Sequence, residues 1–285
     1  MPERRHIPWG PRGPREPSGR GVSVFVIDSG ANPSHSHVQG VSGGARLFKG
    51  PGGEVLREDG NFQDDLGHGT AITAVIRHVA PAARIHAVKI FSGSQSATVD
   101  VLEAAIAYAI DAGAKVVNVS LGVEEDVRSR PIGALSRDAS GRGLILVASA
   151  RNGSRPNGYP ALLPEVIGVA ADWRLGESSL RYLAGDPFEC RASGWPRELP
   201  GLPRERNFRG NSFAAARVSG AVACLLESHP GADLAAVRGM LRALYGGPAK
   251  PPLSQLRHCS SLSSQNRNRP AAGRKGKSSV DTNNS

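Results

Sequence analysis

The chain has 285 residues, of which 39% are hydrophobic, 35 are glycine and 21 are proline. This composition is typical of a loop-rich globular protein and excludes a fibrous or wholly disordered chain. No stretch reaches the roughly 18 uncharged apolar residues that a membrane-spanning helix needs, so we expect no membrane span. The formal net charge is +10, which makes nucleic acid a partner to consider.

The positive charge is concentrated at the two ends of the sequence. Residues 1–20 carry a net charge of +3 and residues 247–285 one of +6, which leaves the part between them near neutral. Both end segments are poor in apolar residues and bury too little surface to offset the entropy lost on ordering. We therefore expect a flexible basic N-terminal arm (1–20), one globular domain (21–246) and a disordered basic C-terminal tail (247–285).

Within the expected domain, apolar runs alternate with segments of helical spacing. The runs that predict strands are 22–27, 84–90, 115–120, 144–149 and 165–170. The segments that predict helices are the stretch after His68, 99–113, 212–228 and 232–244. Continuously apolar strands that alternate with helices are typical of a parallel sheet covered on both faces. The sequence therefore predicts an α/β fold: a single domain with a doubly wound, mostly parallel sheet.

The N-terminus and the cysteines both favour a cytoplasmic location. The N-terminus is basic, but neither an apolar core nor a cleavage site follows, so it does not match a secretory signal peptide. Cys190, Cys224 and Cys259 are an odd number without metal-ligand spacing. They predict no disulfide framework, in agreement with a reducing compartment. We expect no metal and no other cofactor.

Three short motifs lie at the predicted ends of strands or helices. Asp28-Ser29-Gly30 follows the first strand, His68-Gly69-Thr70 opens a helix, and Gly210-Asn211-Ser212 opens another. Each motif is weak alone, and their order and placement make the combination specific. Asn152 lies just beyond another strand, and the carboxyl ends of strands in such sheets form the ligand site. We therefore expect these segments to converge.

In this order the motifs resemble the subtilisin-like serine peptidase family, the subtilases, whose catalytic residues follow the order Asp, His, Ser. The resemblance covers roughly residues 21–246 and includes NVSLG at 118–122 and NGYP at 157–160. It implies a subtilisin-like fold and a serine endopeptidase that hydrolyses peptide bonds through an acyl-enzyme.

The resemblance assigns a role to each of four residues. His68 would be the general base that removes the proton of the Ser212 hydroxyl and later protonates the leaving amine. Asp28 would orient the imidazole and stabilise its cation. The backbone N–H of Ser212, at the start of a helix, and the side-chain amide of Asn152 would form the oxyanion hole.

The resemblance also implies where a peptide or protein substrate binds. Ser120, Leu121 and Gly122 would form an edge segment that pairs with an extended substrate backbone. Leu121 and Ala150 would supply apolar walls of the substrate groove.

Gly158 matches the floor of the pocket for the side chain that precedes the cut bond. Arg151 stands beside Asn152 at the rim of that pocket, where the family usually has glycine. One hypothesis is that Arg151 attracts acidic or polar side chains; the other is that it points to solvent.

Two departures from the family concern metal. Many members bind calcium in a long loop after the histidine helix, completed by an aspartate soon after the first motif. Here the helix runs directly into Ala80-Pro81, and His37 stands at the aspartate position. Calcium takes roughly six to eight oxygen ligands, so we expect none at this site. His35 and His37 could form a metal pair, but they lack further ligands nearby.

Several functional interpretations stay open. Family members often carry an inhibitory prodomain, for which this chain has no room, so we expect restraint by specificity or by an unknown regulatory partner. One hypothesis is that the chain processes one or a few dedicated peptides in the cytoplasm. The alternative is a catalytically silent, subtilisin-like peptide-binding module. A third class is nucleic-acid binding by the tails, but no aromatic-plus-basic pattern indicates a specific nucleic-acid partner.

Overall fold

The structure is a computed structural model, and it describes residues 17–94, 96–123, 130–152 and 158–247. The strands in these residues are β1 (Ser23–Asp28), β2 (Gly43–Lys49), β3 (Val55–Asp59), β4 (Arg84–Lys89), β5 (Val116–Val119), β6 (Ile145–Ser149), β7 (Val166–Ala171), β8 (Leu180–Tyr182) and β9 (Cys190–Ala192). The α-helices are α1 (His68–Val79), α2 (Val99–Asp111), α3 (Arg130–Gly141), α4 (Asn211–Ser228) and α5 (Leu234–Tyr245).

All these strands belong to one sheet, in the order β3-β2-β4-β1-β5-β6-β7-β9-β8. The inner pairs are parallel, as in the pairing of β1 with β4 and with β5. At the two edges the pairing is antiparallel, between β2 and β3 and between β8 and β9. The predicted mostly parallel α/β sheet is confirmed.

The central strand β1 shows how the helices divide between the two faces of the sheet. Val24 and Val26 point into the core formed with α1, α4 and α5. Phe25 and Ile27, the alternate residues, point into the core formed with α2 and α3. Because successive strand side chains face opposite sides, a strand that is apolar throughout is buried on both. Helices on both faces agree with the predicted doubly wound arrangement.

Every strand and helix that the sequence predicts is present, with ends that differ by a few residues. The sequence does not predict β2, β3, α3, β8 or β9. β2 and β3 lie at one edge of the sheet and are only partly buried, so they lack a continuous apolar run. β8 and β9 have three residues each, which is too short for a pattern.

The start of the described chain is attached to the end of α4. The backbone N–H groups of Ser18, Gly19 and Arg20 all donate to one carboxylate oxygen of Glu227. Burial alone would raise the pKa of Glu227, but these N–H donors hold the pKa below its ordinary value. Residues 18–20, which the sequence assigns to the arm, therefore lie against the domain. The rest of the expected arm and tail lie outside the described residues.

The longest helix, α4, runs through the core and is buried over most of its 18 residues. Its one arginine, Arg217, donates to the carbonyl oxygens of Glu177 and Trp195, in the segments that lead to β8 and follow β9. Burial lowers the pKa of Arg217 to about 10, so the guanidinium stays charged at neutral pH. Among the described helices, neither α4 nor any other combines the length and apolarity needed to cross a bilayer.

Candidate active site

The site begins with a buried carboxylate at the end of β1. Asp28 is the last residue of this strand and is fully buried. One of its oxygens accepts the backbone N–H of Ser29 at 2.7 Å and the Ser29 hydroxyl at 3.2 Å. Since a buried charge is costly without hydrogen bonds, the carboxylate requires such donors. The Ser29 hydroxyl also accepts the backbone N–H of Gly69, which fixes the start of α1 to the same point.

His68 supplies the remaining partner of this carboxylate. Its Nδ1 lies 2.8 Å and 3.0 Å from the two oxygens of Asp28. This contact places the proton on Nδ1 and leaves Nε2 of the neutral ring as an acceptor. Burial alone would lower the pKa of His68, but the charge and hydrogen bond of Asp28, with the charge of Asp64, raise it above 6.5.

Asp64 caps the helix that carries His68. One oxygen accepts the backbone N–H groups of Leu66 and Gly67 at 2.9 Å each. The other accepts the backbone N–H and the hydroxyl of Thr70. Burial acts to raise the pKa of Asp64, but these donors lower it overall, so the group is ionised at neutral pH. The function of Asp64 as a cap depends on geometry that the sequence does not show.

Ser212 is the second residue of α4, and the residue after it, Phe213, packs against His68. The rings of Phe213 and Phe208 each meet the His68 imidazole edge-on, at 5.5 Å between centroids. The Ser212 hydroxyl donates to the backbone carbonyl of Ser120 at 2.9 Å. The hydroxyl is thus bonded to Ser120 rather than to His68.

Asn152 lies beside the start of α4, as the sequence predicts. Its side-chain oxygen accepts the backbone N–H of Asn211 at 3.1 Å, which leaves its amide N–H₂ as a donor. Gly210 stands directly before Asn211 and has a φ of +155°. A Cβ at this position would lie 3.1 Å from the Asn152 amide nitrogen. Glycine at 210 therefore allows the amide to approach the helix start.

Asn211 is a positioning residue that sequence reasoning missed. Its side-chain oxygen accepts the backbone N–H of Ala171 at 2.9 Å, and its amide donates to the carbonyl of Ala150 at 3.0 Å. The side chain thereby ties the start of α4 to the ends of β6 and β7. The only signal in the sequence is that asparagine stands where the family commonly has threonine.

A buried chain of side chains fixes Ser120 relative to α4. The Ser219 hydroxyl, on α4, donates to the side-chain oxygen of Asn118 at 2.9 Å. The Asn118 amide in turn donates to the Ser120 hydroxyl at 2.6 Å. Because all three residues are buried, this chain holds β5 and α4 in register, and with them the Ser120 carbonyl that accepts the Ser212 hydroxyl.

The expected pocket residues surround Arg151. A Cβ placed on Gly122 would lie 3.2 Å from the Cβ of Arg151, and one on Gly158 would lie 3.1 Å from it. Arg151 is exposed and stands between the two glycines. Ala150 is only 2% exposed, so it offers mainly backbone, whereas Leu121 is partly buried against the core. Residues 153–157, next to this pocket, lie outside the described residues.

The fold and the site together define a class of protein. A carboxylate–imidazole pair packs against the first turn of the helix that bears Ser212, and the Asn152 amide lies at the same helix start. This arrangement suits nucleophilic attack on an acyl group.

Comparisons with known proteins agree with this class. The subtilase family model matches residues 19–178, which include Asp28, His68 and Asn152 but not Ser212. Subtilisin E of Bacillus subtilis (strain 168) is 31% identical over 242 residues, covering 79% of this chain and 61% of that protein. Subtilisin of Bacillus pumilus is 31% identical over 79% of this chain and 84% of its own length. The chain belongs to the subtilase family.

A solved structure supports the fold independently. The crystal structure of a cold adapted subtilisin-like serine proteinase superposes with a TM-score of 0.61 at 21% identity. The match covers 79% of this chain and 82% of that one. The chain therefore has the fold of this protein. The match to Subtilisin E spans less than two thirds of that relative's length.

The residues at the family's calcium position do not fit calcium. Arg77 of α1 points its guanidinium at four backbone carbonyls, at 2.8–3.0 Å. Two belong to Val38 and Gly40, in the loop after β1, and two to Pro81 and Ala83, in the short connection to β4. The Arg77 guanidinium thus joins the two segments that calcium joins in many members of the family. Among the described residues, no group of three His, Cys, Asp or Glu side chains could hold a metal.

We expect Arg77→Met to lower the free energy of unfolding by about 2–4 kcal/mol, because the carbonyl groups lose charged donors. Thermal unfolding of the wild type should be the same with and without a calcium chelator. Arg206→Met, which changes an exposed arginine, is the matched control and should unfold like the wild type. A wild-type melting temperature that falls with chelator and recovers with calcium would contradict this account.

The charge of Asp64 gives a prediction about pH. The family resemblance assigns His68 as the general base, which must be neutral to accept a proton, so we expect turnover to fall as pH drops through the raised pKa of His68. Asp64→Asn removes one of the negative charges that raise this pKa, and the acid limb of the pH profile should move to lower pH. Asp65→Asn is the matched control, since Asp65 is bound to Lys89 and Ser92. Equal acid limbs in wild type and Asp64→Asn would refute the assignment.

Proposed function

We propose that this protein is a serine endopeptidase in which Asp28, His68 and Ser212 are the catalytic residues and Asn152 completes the oxyanion hole. The observation that carries the proposal is the hydrogen-bonded Asp28–His68 pair, which lies next to the start of the helix bearing Ser212. Buried pairs of this kind, with a raised histidine pKa, suit a general base. Membership of the subtilase family supports the same chemistry.

The reaction follows from these positions. When a peptide carbonyl enters the site, the Ser212 hydroxyl leaves the Ser120 carbonyl, gives its proton to Nε2 of His68 and forms a bond to the carbonyl carbon. The oxygen that becomes negative accepts the Ser212 backbone N–H and the Asn152 amide. His68 then protonates the amine, which leaves, and the acyl group stays on Ser212. Water attacks this ester by the reverse sequence and restores the hydroxyl.

The substrate is a peptide or protein, bound as an extended strand. Ser120, Leu121 and Gly122 follow β5 without being part of a described strand, so their backbone can pair with a substrate backbone. This pairing recognises main chain and is largely independent of side chains.

The side chain before the cut enters near Gly158, with Ala150 and Arg151 beside it. Because Arg151 stands between two glycines, it is placed to contact that side chain. Its positive charge favours an acidic or polar residue at this position.

We also propose that the protein acts in the cytoplasm on one or a few dedicated peptides, under the restraint of specificity or of an unknown regulatory partner. Cys190 and Cys224 are both buried and are not part of a disulfide in the stretch of chain that the structure describes, as is usual in a reducing compartment. Rapid digestion of unfolded casein by the purified protein would count against dedicated substrates.

One observation favours a second candidate, a catalytically silent peptide-binding module. The Ser212 hydroxyl is bonded to the Ser120 carbonyl, which is a stable arrangement without catalysis. Catalytic hydrogen bonds are, however, often absent in free enzymes and form only with substrate. The presence of Asp28, His68, Asn152 and Ser212 together favours the enzyme.

Labelling with a fluorophosphonate probe separates the two candidates. The probe reacts only with an activated serine, so the wild type should be labelled and Ser212→Ala should not. Ser228→Ala changes an exposed serine at the other end of α4 and should be labelled like the wild type. Asn152→Ala should lower peptide turnover by about 10²–10³-fold, the cost of one oxyanion donor. A folded wild type that is not labelled would favour the binding module.

A further inference from the structure

We propose that a cavity beside His68 is a substrate subsite for a residue after the cut bond, and that it selects an acidic side chain. The inference rests on the proposed peptidase function and adds the substrate chemistry of that site. It comes from one cavity and from the charged groups that line it.

The cavity lies between α1, the loop after β1 and the loop after β9. Its volume is about 300 Å³, which is large enough for one side chain and at the lower end of ordinary ligand pockets. Ala71 and Ala74 of α1 form an apolar wall, and Leu199 and Phe208 form another.

The position of the cavity relative to His68 identifies which part of a substrate reaches it. Gly67, directly before His68, and Phe208, whose ring meets the His68 ring, both line the cavity. A histidine that protonates the leaving amine must face the nitrogen of the cut bond. The residues after the cut therefore pass His68, whereas those before it pair with Ser120–Gly122. The cavity therefore lies on the side of the site that binds the residues after the cut bond.

The polar part of the lining includes three basic side chains. His35 and His37 of the loop after β1 and Arg197 of the loop after β9 line the cavity. The rings of His35 and His37 are 5.4 Å apart. Burial lowers the pKa of His37, and the nearby charges of Arg197 and His35 lower it further. Arg197 and His35 thus lie close enough to disfavour protonation of His37. An incoming carboxylate would favour it.

The one acidic lining residue, Asp64, does not neutralise the cluster by direct contact. Its two oxygens accept the N–H groups and hydroxyl at the start of α1. The lining residues of α1 itself, Thr70, Ala71 and Ala74, carry no titratable group. His37 is therefore the titratable group whose charge an incoming carboxylate would change, with Arg197 and Asp64 as the charged groups that face it.

The loop that carries the two histidines is held before any substrate binds. The Arg77 guanidinium donates to the carbonyls of Val38 and Gly40, directly after His37. The backbone N–H of His37 donates to Nδ1 of His35, which leaves Nε2 of the neutral His35 ring to carry the proton as a donor. A preformed set of donors loses little entropy on binding. Aspartate or glutamate, a carboxylate on a short apolar stem, fits this lining.

The test is cleavage of peptide libraries varied at the first three positions after the cut. We expect the wild type to prefer Asp or Glu over Asn or Gln at one of these positions by about tenfold, as for a hydrogen bond to a charged group. Arg197→Gln and His37→Gln should reduce that ratio to about threefold or less, and Arg197→Lys should restore part of it. Arg206→Gln, outside the cavity, is the matched control and should keep the full ratio.

The ratio should also grow as pH falls, because bound carboxylate raises the pKa of His37 and binding takes up a proton. The titration of His68 changes the cleavage of acidic and neutral peptides by the same factor, so it does not change their ratio. A wild type that labels with fluorophosphonate and cleaves the library without an acidic preference would overturn this inference alone. So would an acidic preference that persists in both Arg197→Gln and His37→Gln. A wild type that neither labels nor cleaves would overturn the proposed function as well.

Discussion

The structure depends on one constraint: the Asp28 carboxylate is fully buried and must be given hydrogen-bond donors. Ser29 supplies two, and the third must come from His68, which is 40 residues further along the chain. The imidazole reaches Asp28 only if α1 begins where β1 ends. Asp64 secures that start by accepting four donors, two from the residues just before α1 and two from Thr70 in its first turn. The buried charge thus explains both the placement of α1 and the raised pKa of His68.

The same edge of the sheet receives α4. Asn211 joins the start of this helix to the ends of β6 and β7, and Ser219 joins its middle to Asn118 on β5. These bonds fix the start of α4, where the Ser212 hydroxyl donates to the Ser120 carbonyl and the adjacent Phe213 ring meets the His68 imidazole. A peptide bound along Ser120–Gly122 would compete for the backbone groups of this segment. Binding in the groove would therefore favour release of the Ser212 hydroxyl from the Ser120 carbonyl.

The sequence predicts the inner sheet and the motif residues, but not what holds them in place. Strands buried on both faces are visible as apolar runs, whereas edge strands such as β2 are half polar and have no such signal. The resemblance to the subtilases implies Asp28, His68, Asn152 and Ser212; in the structure Asp28 bonds to His68, His68 packs against Phe213, and Asn152 bonds to Asn211. Asp64, Asn211 and Arg77 are not predicted, because their partners are mainly backbone atoms of other segments. A sequence does not show which carbonyl or N–H will lie beside a polar side chain.

The most direct test of the account is proton NMR of the hydrogen bond between His68 Nδ1 and Asp28. The wild type should show a resonance well downfield of the amide region that is absent in His68→Gln and Asp28→Ala. Its position should titrate with a pKa above 6.5, the ordinary value for histidine. If no such resonance exists at any pH, or if it titrates at or below 6.5, then the buried carboxylate does not hold the imidazole and the central claim is wrong.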